Sequence, residues 1–198
     1  MKEQKGTLFV LTGPSGVGKG TLLSRVLPTL DSLFLSISAT TRSPRPDEQD
    51  GVHYYFLNRG QFEEKVRNGE FLEHAQFSGN YYGTPSGPID MHLARGEDVV
   101  LEIEVQGAMQ IREKRPDAAM IFVAPPDFPT LEARLRGRQT EDEAAIALRL
   151  QTAREELKQI PKFDYLVIND DLTRAEEELK AVFLAERSRT NHRTFHMS

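Results

Sequence analysis

Residues 13–20 read GPSGVGKG: Gly13, Pro14, Ser15, Gly16, Val17, Gly18, Lys19 and Gly20. An apolar run, Thr7–Leu11, precedes them, and Leu22, Leu23, Val26, Leu27 and Leu30 follow at helical spacing, with Pro28 ending or bending that helix. A glycine-rich turn between a buried strand and a helix suits phosphate binding. Glycine reaches positive φ and lets backbone N–H groups close on phosphate oxygens. The helix adds its positive N-terminal end, and Lys19 a mobile charge for the β- and γ-phosphates. The loop is therefore read as an ATP site spanning Gly13 to Thr21.

One position departs from the usual pattern, which places Ser or Thr directly after the lysine. Here that place is Gly20, and the hydroxyl comes one step later, at Thr21. One residue along a helix turns a side chain by about 100°, so Thr21 does not simply replace it. Mg2+ tolerates the loss, because it keeps several waters and leans on phosphate oxygens. The same GKGT arrangement is similar to that of the adenylate kinases. Glu102 and Glu104, ending the run VVLEIE, are candidates to orient metal-bound water, with Thr21 beside them.

Strand and helix signals alternate through the rest of the chain, which predicts a parallel sheet covered on both faces. Strands are expected at LFLSIS (33–38), VHYYFL (52–57), EFLEHAQF (70–77), DVVLEIEV (98–105), AAMIFV (118–123) and FDYLVIND (163–170). Helices are expected at QFEEKVRNG (61–69), before Gly96, near 107–114, over about 131–159 and from Thr173 onward. NYYGTPSG (80–87) is read as a turn. The expected fold is a three-layer α/β/α P-loop core with a small mixed-sheet lobe and a helical lid. The boundaries are 1–37, 90–126 and 157–198 for the core, 38–89 for the lobe and 127–156 for the lid.

The chain has 198 residues, 38% hydrophobic and 28% charged, with 30 Asp+Glu against 25 Lys+Arg. The mildly acidic balance argues against a protein that coats nucleic acid. The absence of cysteine excludes disulfides, thiolate metal sites and a cysteine nucleophile. The N-terminal apolar run breaks at Gly13-Pro14, too soon for a membrane span, so a cytoplasmic protein is expected. The basic tail from Arg187 to Ser198 is read as a solvated terminus.

Two further stretches, SATTRSPRPDEQDGVHYYF and FLEHAQFSGNYYGT, resemble the acceptor lobe of guanylate kinases. With GPSGVGKG, RLRGR and VIND, the likeness covers almost the whole chain in order. It implies transfer of the γ-phosphate of ATP to GMP, giving ADP and GDP, with Mg2+ as cofactor. It leaves open the acceptance of dGMP and the oligomeric state. By this resemblance Arg42, Arg45, Tyr54 and Tyr82 hold the GMP phosphate, and guanidinium forks suit a phosphate dianion. Glu73 would read guanine N1–H and its exocyclic amine, with Ser38 and Thr84 as hydroxyl partners and Glu102 nearby. Arg134, Arg138 and Arg149 match the family's lid and hinge arginines, which act with Lys19 and Arg45 in catalysis, and Asn169 lies near adenine. Arg136 is read as a wet-face charge. Many relatives have LDID where this chain has LEIE at 101–104, which leaves fine metal preference open. Two other functions compete: a peptide-binding module of similar fold, and a kinase for another monophosphate. The intact loop speaks against the former, and Glu73 with its hydroxyls against the latter.

Overall fold

The computed structural model describes residues 5–77, 79–137 and 143–190. Five strands form the main sheet: β1 (Leu8–Thr12), β2 (Leu33–Leu35), β7 (Asp98–Glu102), β8 (Ala119–Ala124) and β9 (Tyr165–Ile168). Their order is β2-β7-β1-β8-β9, all parallel. The helices are α1 (Lys19–Val26), α2 (Arg59–Arg67), α3 (Ser86–Ala94), α4 (Val105–Lys114), α5 (Phe128–Arg136), α6 (Glu143–Leu157) and α7 (Leu172–Arg187).

The alternation of side chains along β1 explains the layering. Phe9 and Leu11 pack on one face with Leu22, Leu23 and Val26 of α1 and Leu179 and Phe183 of α7. Leu8 and Val10 pack on the other with Ile89 and Leu93 of α3 and Ala108 and Ile111 of α4. Every β1 residue is buried, which is why the strand reads as a continuous apolar run without alternation. A partly buried ion pair fastens the N-terminal end of β7. Asp98 Oδ1 accepts from the Thr7 N–H at 2.7 Å, and Arg187 Nε donates to Asp98 Oδ2 at 2.6 Å.

Between β2 and α3 the chain builds a second sheet from β3 (Ala39–Thr40), β4 (Tyr55–Phe56), β5 (Phe71–Phe77) and β6 (Asn80–Pro85). Its order is β4-β3-β6-β5, parallel between β3 and β4 and antiparallel elsewhere. Phe62 of α2 packs with Phe71 and Ala39 to give it a small core of its own. Asn58 and Gln61 start α2 with reciprocal caps: each side chain accepts from the other's backbone N–H at 2.9 Å.

Several expectations need correction. NYYGTPSG is not a turn: residues 80–85 pair with β5 as a strand. Gly83 fits a crowded place in that strand, where a Cβ would lie 3.1 Å from Glu73 O, from Phe62 and from Phe71. Sheet strands at 33–38 and 52–57 are shorter than expected, ending at Leu35 and spanning only Tyr55–Phe56. The helical stretch over 131–159 is two helices, α5 and α6. The expectations for Arg138 and for residues 191–198 of the tail lie outside the described residues.

Candidate active site

The loop after β1 adopts the conformation its glycines allow. Gly13, Gly16 and Gly18 have φ of 145°, 87° and 97°. Added Cβ atoms would fall 2.1 Å from Val123 O at Gly13 and 2.6 Å from Asn169 Nδ2 at Gly18. Neither position accepts a side chain. Gly18 caps α1 without a side-chain hydrogen bond, so the first N–H groups of that helix are left for a ligand. Lys19 Nζ donates to Gly13 O at 2.6 Å, which curls its charge back over the loop.

Residues far apart in sequence support the loop from below. Asn169, following β9, is buried and donates from Nδ2 to Val17 O at 2.7 Å. Arg134 of α5 donates to Asn169 O at 2.9 Å and to Val17 O at 3.5 Å. Arg149 of α6 reaches Ser15 Oγ at 3.4 Å. Arg134 and Arg149 therefore converge on the loop. Arg136 instead pairs on the surface with Glu132 and Glu143, in keeping with a solvated charge.

A cavity of about 440 Å³ lies over the loop, lined by Ser15, Lys19, Gly20, Thr21, Ser38 and Tyr54 among others. A second, of about 210 Å³, opens toward β5 and β6, where Glu73 and Tyr82 line it. Both are walled by Ser38, Tyr54, Glu102, Ile103 and Glu104. Two compartments thus face each other across one acidic ridge, the loop on one side and Glu73 on the other.

Glu73 is 5% exposed, unusual for a carboxylate. Its Oε1 accepts from Thr84 Oγ1 at 2.6 Å, its partner in the β5–β6 register. Burial pushes its pKa up, while the Thr84 hydroxyl and the Lys114 charge pull the other way. Gly107 of α4 closes over Oε2, where a Cβ would sit at 2.5 Å. Burial likewise pushes Glu102 up, against the pull of Lys19. Glu156 of α6 is pushed up to about 7, by burial and then by Glu104.

At the outer end, Arg42 meets Glu48 through two parallel bonds of 2.9 and 2.8 Å. The Arg42 guanidinium lies 5.4 Å from the Tyr54 ring centre, and Tyr54 packs against Tyr82 at 6.2 Å. Arg45 is exposed on the same loop. The residues expected to hold a monophosphate are therefore neighbours, except that Arg45 projects at the rim.

Gly20 faces the Glu102 carboxylate. A Cβ there would be 3.6 Å from both Glu102 carboxylate oxygens, an ordinary contact distance. Among the described residues no group of three His, Cys, Asp or Glu side chains could hold a metal by itself. The donors present fit an ion carried mainly by phosphates and water.

Sequence reasoning missed Glu48, Gly107, Ser36 and Glu156. Ser36 Oγ is buried beside the larger cavity without a hydrogen-bond partner. A glycine in the first turn of α4, where it costs helix stability, was the available signal for Gly107. An acid three residues after Arg45 was the signal for Glu48.

The P-loop core and the second sheet mark a nucleotide-dependent phosphotransferase-type fold. The guanylate kinase family model matches residues 5–186. A guanylate kinase of Desulfitobacterium hafniense is 45% identical over 195 residues, covering 98% of each chain. One from Carboxydothermus hydrogenoformans is 49% identical over 192 residues, covering 96% of this chain and 94% of the other. The crystal structure of guanylate kinase from Anaplasma phagocytophilum superposes with a TM-score of 0.79 at 30% identity, covering 97% and 92%. The chain belongs to the guanylate kinase family.

Proposed function

We propose that the protein transfers the γ-phosphoryl group of ATP to GMP, giving ADP and GDP in one in-line displacement. The observation that carries this reading is the pair of cavities sharing the Glu102–Glu104 wall, with the phosphate loop on one side and buried Glu73 on the other. The acceptor phosphate is already ionised, so its oxygen attacks the γ-phosphorus directly. The bond to the bridging oxygen breaks, and ADP carries the charge away. Catalysis then rests on placement and positive charge.

In this reading residues 13–21 cradle the ATP phosphates, and Lys19 follows the β- and γ-oxygens. Arg134 and Arg149, with Arg138, bring charge to the transferring group, and Asn169 stands on the adenine side. Arg42, Arg45, Tyr54 and Tyr82 hold the acceptor phosphate. Ser38, Glu73 and Thr84 read guanine. One carboxylate faces two adjacent base donors, N1–H and the amine. Adenine has a lone pair at N1 and would leave Glu73 mispaired, a fault that rejects substrates by factors on the order of 10⁴.

Mg2+ on the ATP is the expected metal, its waters held by Glu102, Glu104 and Thr21. When bound it neutralises charge on the β- and γ-phosphates. No helix among the described residues is long and apolar enough to cross a membrane. A cytoplasmic setting is part of this proposal.

The test is ADP formation by the purified protein with MgATP and, separately, GMP, dGMP, AMP, UMP and CMP. Turnover confined to the guanine nucleotides is the expected result. Equal turnover with AMP would overturn the role of Glu73, and no turnover with any acceptor would overturn the reaction.

A further inference from the structure

The mechanism above leaves Glu48 without a task, yet it is the best-connected carboxylate on the acceptor side. Its Oε1 accepts from Arg42 NH2 at 2.8 Å. Its Oε2 accepts from Arg42 NH1 at 2.9 Å and from the Arg45 backbone N–H at 2.8 Å. The side chains of Arg42 and Glu48 are only 19% and 13% exposed, so this is no loose surface pair. The bonds from Arg42 and the Arg45 N–H hold the Glu48 pKa down to about 2.

Two opposite roles fit a carboxylate in this position. It is either a stand-in for phosphate, displaced when GMP arrives, or a brace that aims the guanidinium. The donors of Arg42 decide between them. A guanidinium has five N–H groups. NH1 uses both of its own, one on Glu48 and one on Ser43 O at 2.7 Å, and NH2 uses one on Glu48. What is left is Nε and the second NH2 proton, which form the other edge of the fork. The Tyr82 hydroxyl also interacts with this guanidinium. The rings of Tyr54 and Phe56, 5.4 and 5.9 Å away, hold its plane. A phosphate can therefore dock on the remaining edge, beside or in place of the Tyr82 hydroxyl, without displacing Glu48.

We infer that Glu48 is a positioning residue for the acceptor phosphate: it occupies the NH1–NH2 edge of Arg42, presents the other edge to GMP, and fixes the turn that carries Arg45. This rests on the reading of Arg42 as a phosphate anchor. The brace acts before any reaction, so its effect belongs to GMP binding and not to the rate of transfer.

Calorimetric titration of the whole chain with GMP, and NMR titration with guanosine, test it in the wild type, Glu48→Gln, Glu48→Asp and Arg42→Met. Glu48→Gln is expected to weaken GMP by about tenfold or more, because a charged bidentate contact is lost. Guanosine, which has no phosphate, should bind as in the wild type, which also shows that the lobe is folded. Glu48→Asp should fall between, and Glu48→Gln should raise KM for GMP with kcat within about threefold. GMP binding as tight as in the wild type, or tighter, would overturn the brace and favour the stand-in. Equal weakening of GMP and guanosine would overturn it as a general structural defect. If Arg42→Met leaves GMP affinity intact, the anchor reading itself fails, and the proposal with it.

Discussion

Thr84 Oγ1 donates to Glu73 Oε1 across the β5–β6 pair, at 2.6 Å and out of contact with bulk water. A hydroxyl that donates to the carboxylate opposes the burial that pushes Glu73 toward protonation. The hydroxyl thereby limits that upward shift. Glu73→Gln is expected to lower kcat/KM for GMP by roughly 10²- to 10³-fold, since one base donor loses its acceptor and meets an amide. KM for ATP should barely change. Thr84→Ala should cost about tenfold, acting through Glu73. Steady-state kinetics with each substrate varied in turn checks both, and equal effects on ATP and GMP would remove Glu73 from base recognition.

Lys19 lies curled on Gly13 O at 2.6 Å, inside the loop it serves. Lys19→Ala is expected to lower kcat by roughly 10²- to 10⁴-fold while melting and circular dichroism stay near those of the wild type. Near-normal turnover would deny the lysine its role.

Gly18 and Gly20 should respond differently to substitution, although both belong to one loop. Gly18 has φ of 97° and Asn169 Nδ2 2.6 Å from where a Cβ would fall. Gly18→Ala is expected to destabilise by about 2 kcal/mol or more, from strain and from pushing Asn169 off Val17 O. A Cβ at Gly20 meets nothing closer than the Glu102 oxygens at 3.6 Å. Gly20→Ala should change stability by less than about 1 kcal/mol. Denaturant melts of the two variants give the comparison directly.

The Asp98–Arg187 pair is nearly enclosed, with the acid side chain 9% and the arginine 25% exposed. Asp98→Ala leaves Arg187 without that partner and the Thr7 N–H without its acceptor. Stability should fall by about 3 kcal/mol, and KM values of the surviving folded enzyme should not move. A change under about 0.5 kcal/mol would mean that water replaces the pair at no cost.

Glu156 gives a pH signature. Its pKa in the folded protein is raised to about 7, from an ordinary value of 4.5. The unfolded chain therefore loses this proton first as pH rises. The stability contributed by the protonated form is complete below about 4.5 and is lost by the time pH passes about 7. Glu156→Gln removes that loss and should stabilise the protein at pH 8 by about 1 kcal/mol relative to pH 5, after allowance for partial solvent access. Melting curves of wild type and variant at the two pH values test it, and parallel shifts would show that Glu156 does not titrate in this range.

The core was legible from β1 and α1 because both of their signals are local. A fully buried strand, three glycines and helical leucine spacing lie within one short stretch of chain. The family likeness at SATTRSPRP and FLEHA placed candidate residues around the second cavity, and its neighbours Tyr54 and Tyr82 do pack together. What escaped depends on partners distant in sequence. β6 carries a glycine and a proline, and the crowding at Gly83 comes from Glu73 O, Phe62 and Phe71, all distant in sequence. Gly107 lies in a helix expected near 107–114, and only the Glu73 carboxylate, 2.5 Å from where a Cβ would fall, shows why it is glycine. Asn169 and Val17, 152 residues apart in sequence, are joined past the end of β8, which lies between β1 and β9. The brace on Arg42 was hidden for another reason: an acid in a charged loop looks the same whether it faces water or grips a guanidinium.

The second sheet is one uninterrupted excursion of chain, from β3 at Ala39 to the end of β6 at Pro85. The phosphate loop and its supports come from β1, α1, α5, α6 and the end of β9, none of which falls inside that excursion. Most of the residues proposed to choose the acceptor therefore lie in one passage of the gene and those proposed to handle the donor in others, with the wall of Ser38, Tyr54, Glu102, Ile103 and Glu104 common to both. Drift or selection can revise the first with little rewording of the second, provided that the shared wall is kept and Gly107 still leaves a seat for whatever replaces Glu73.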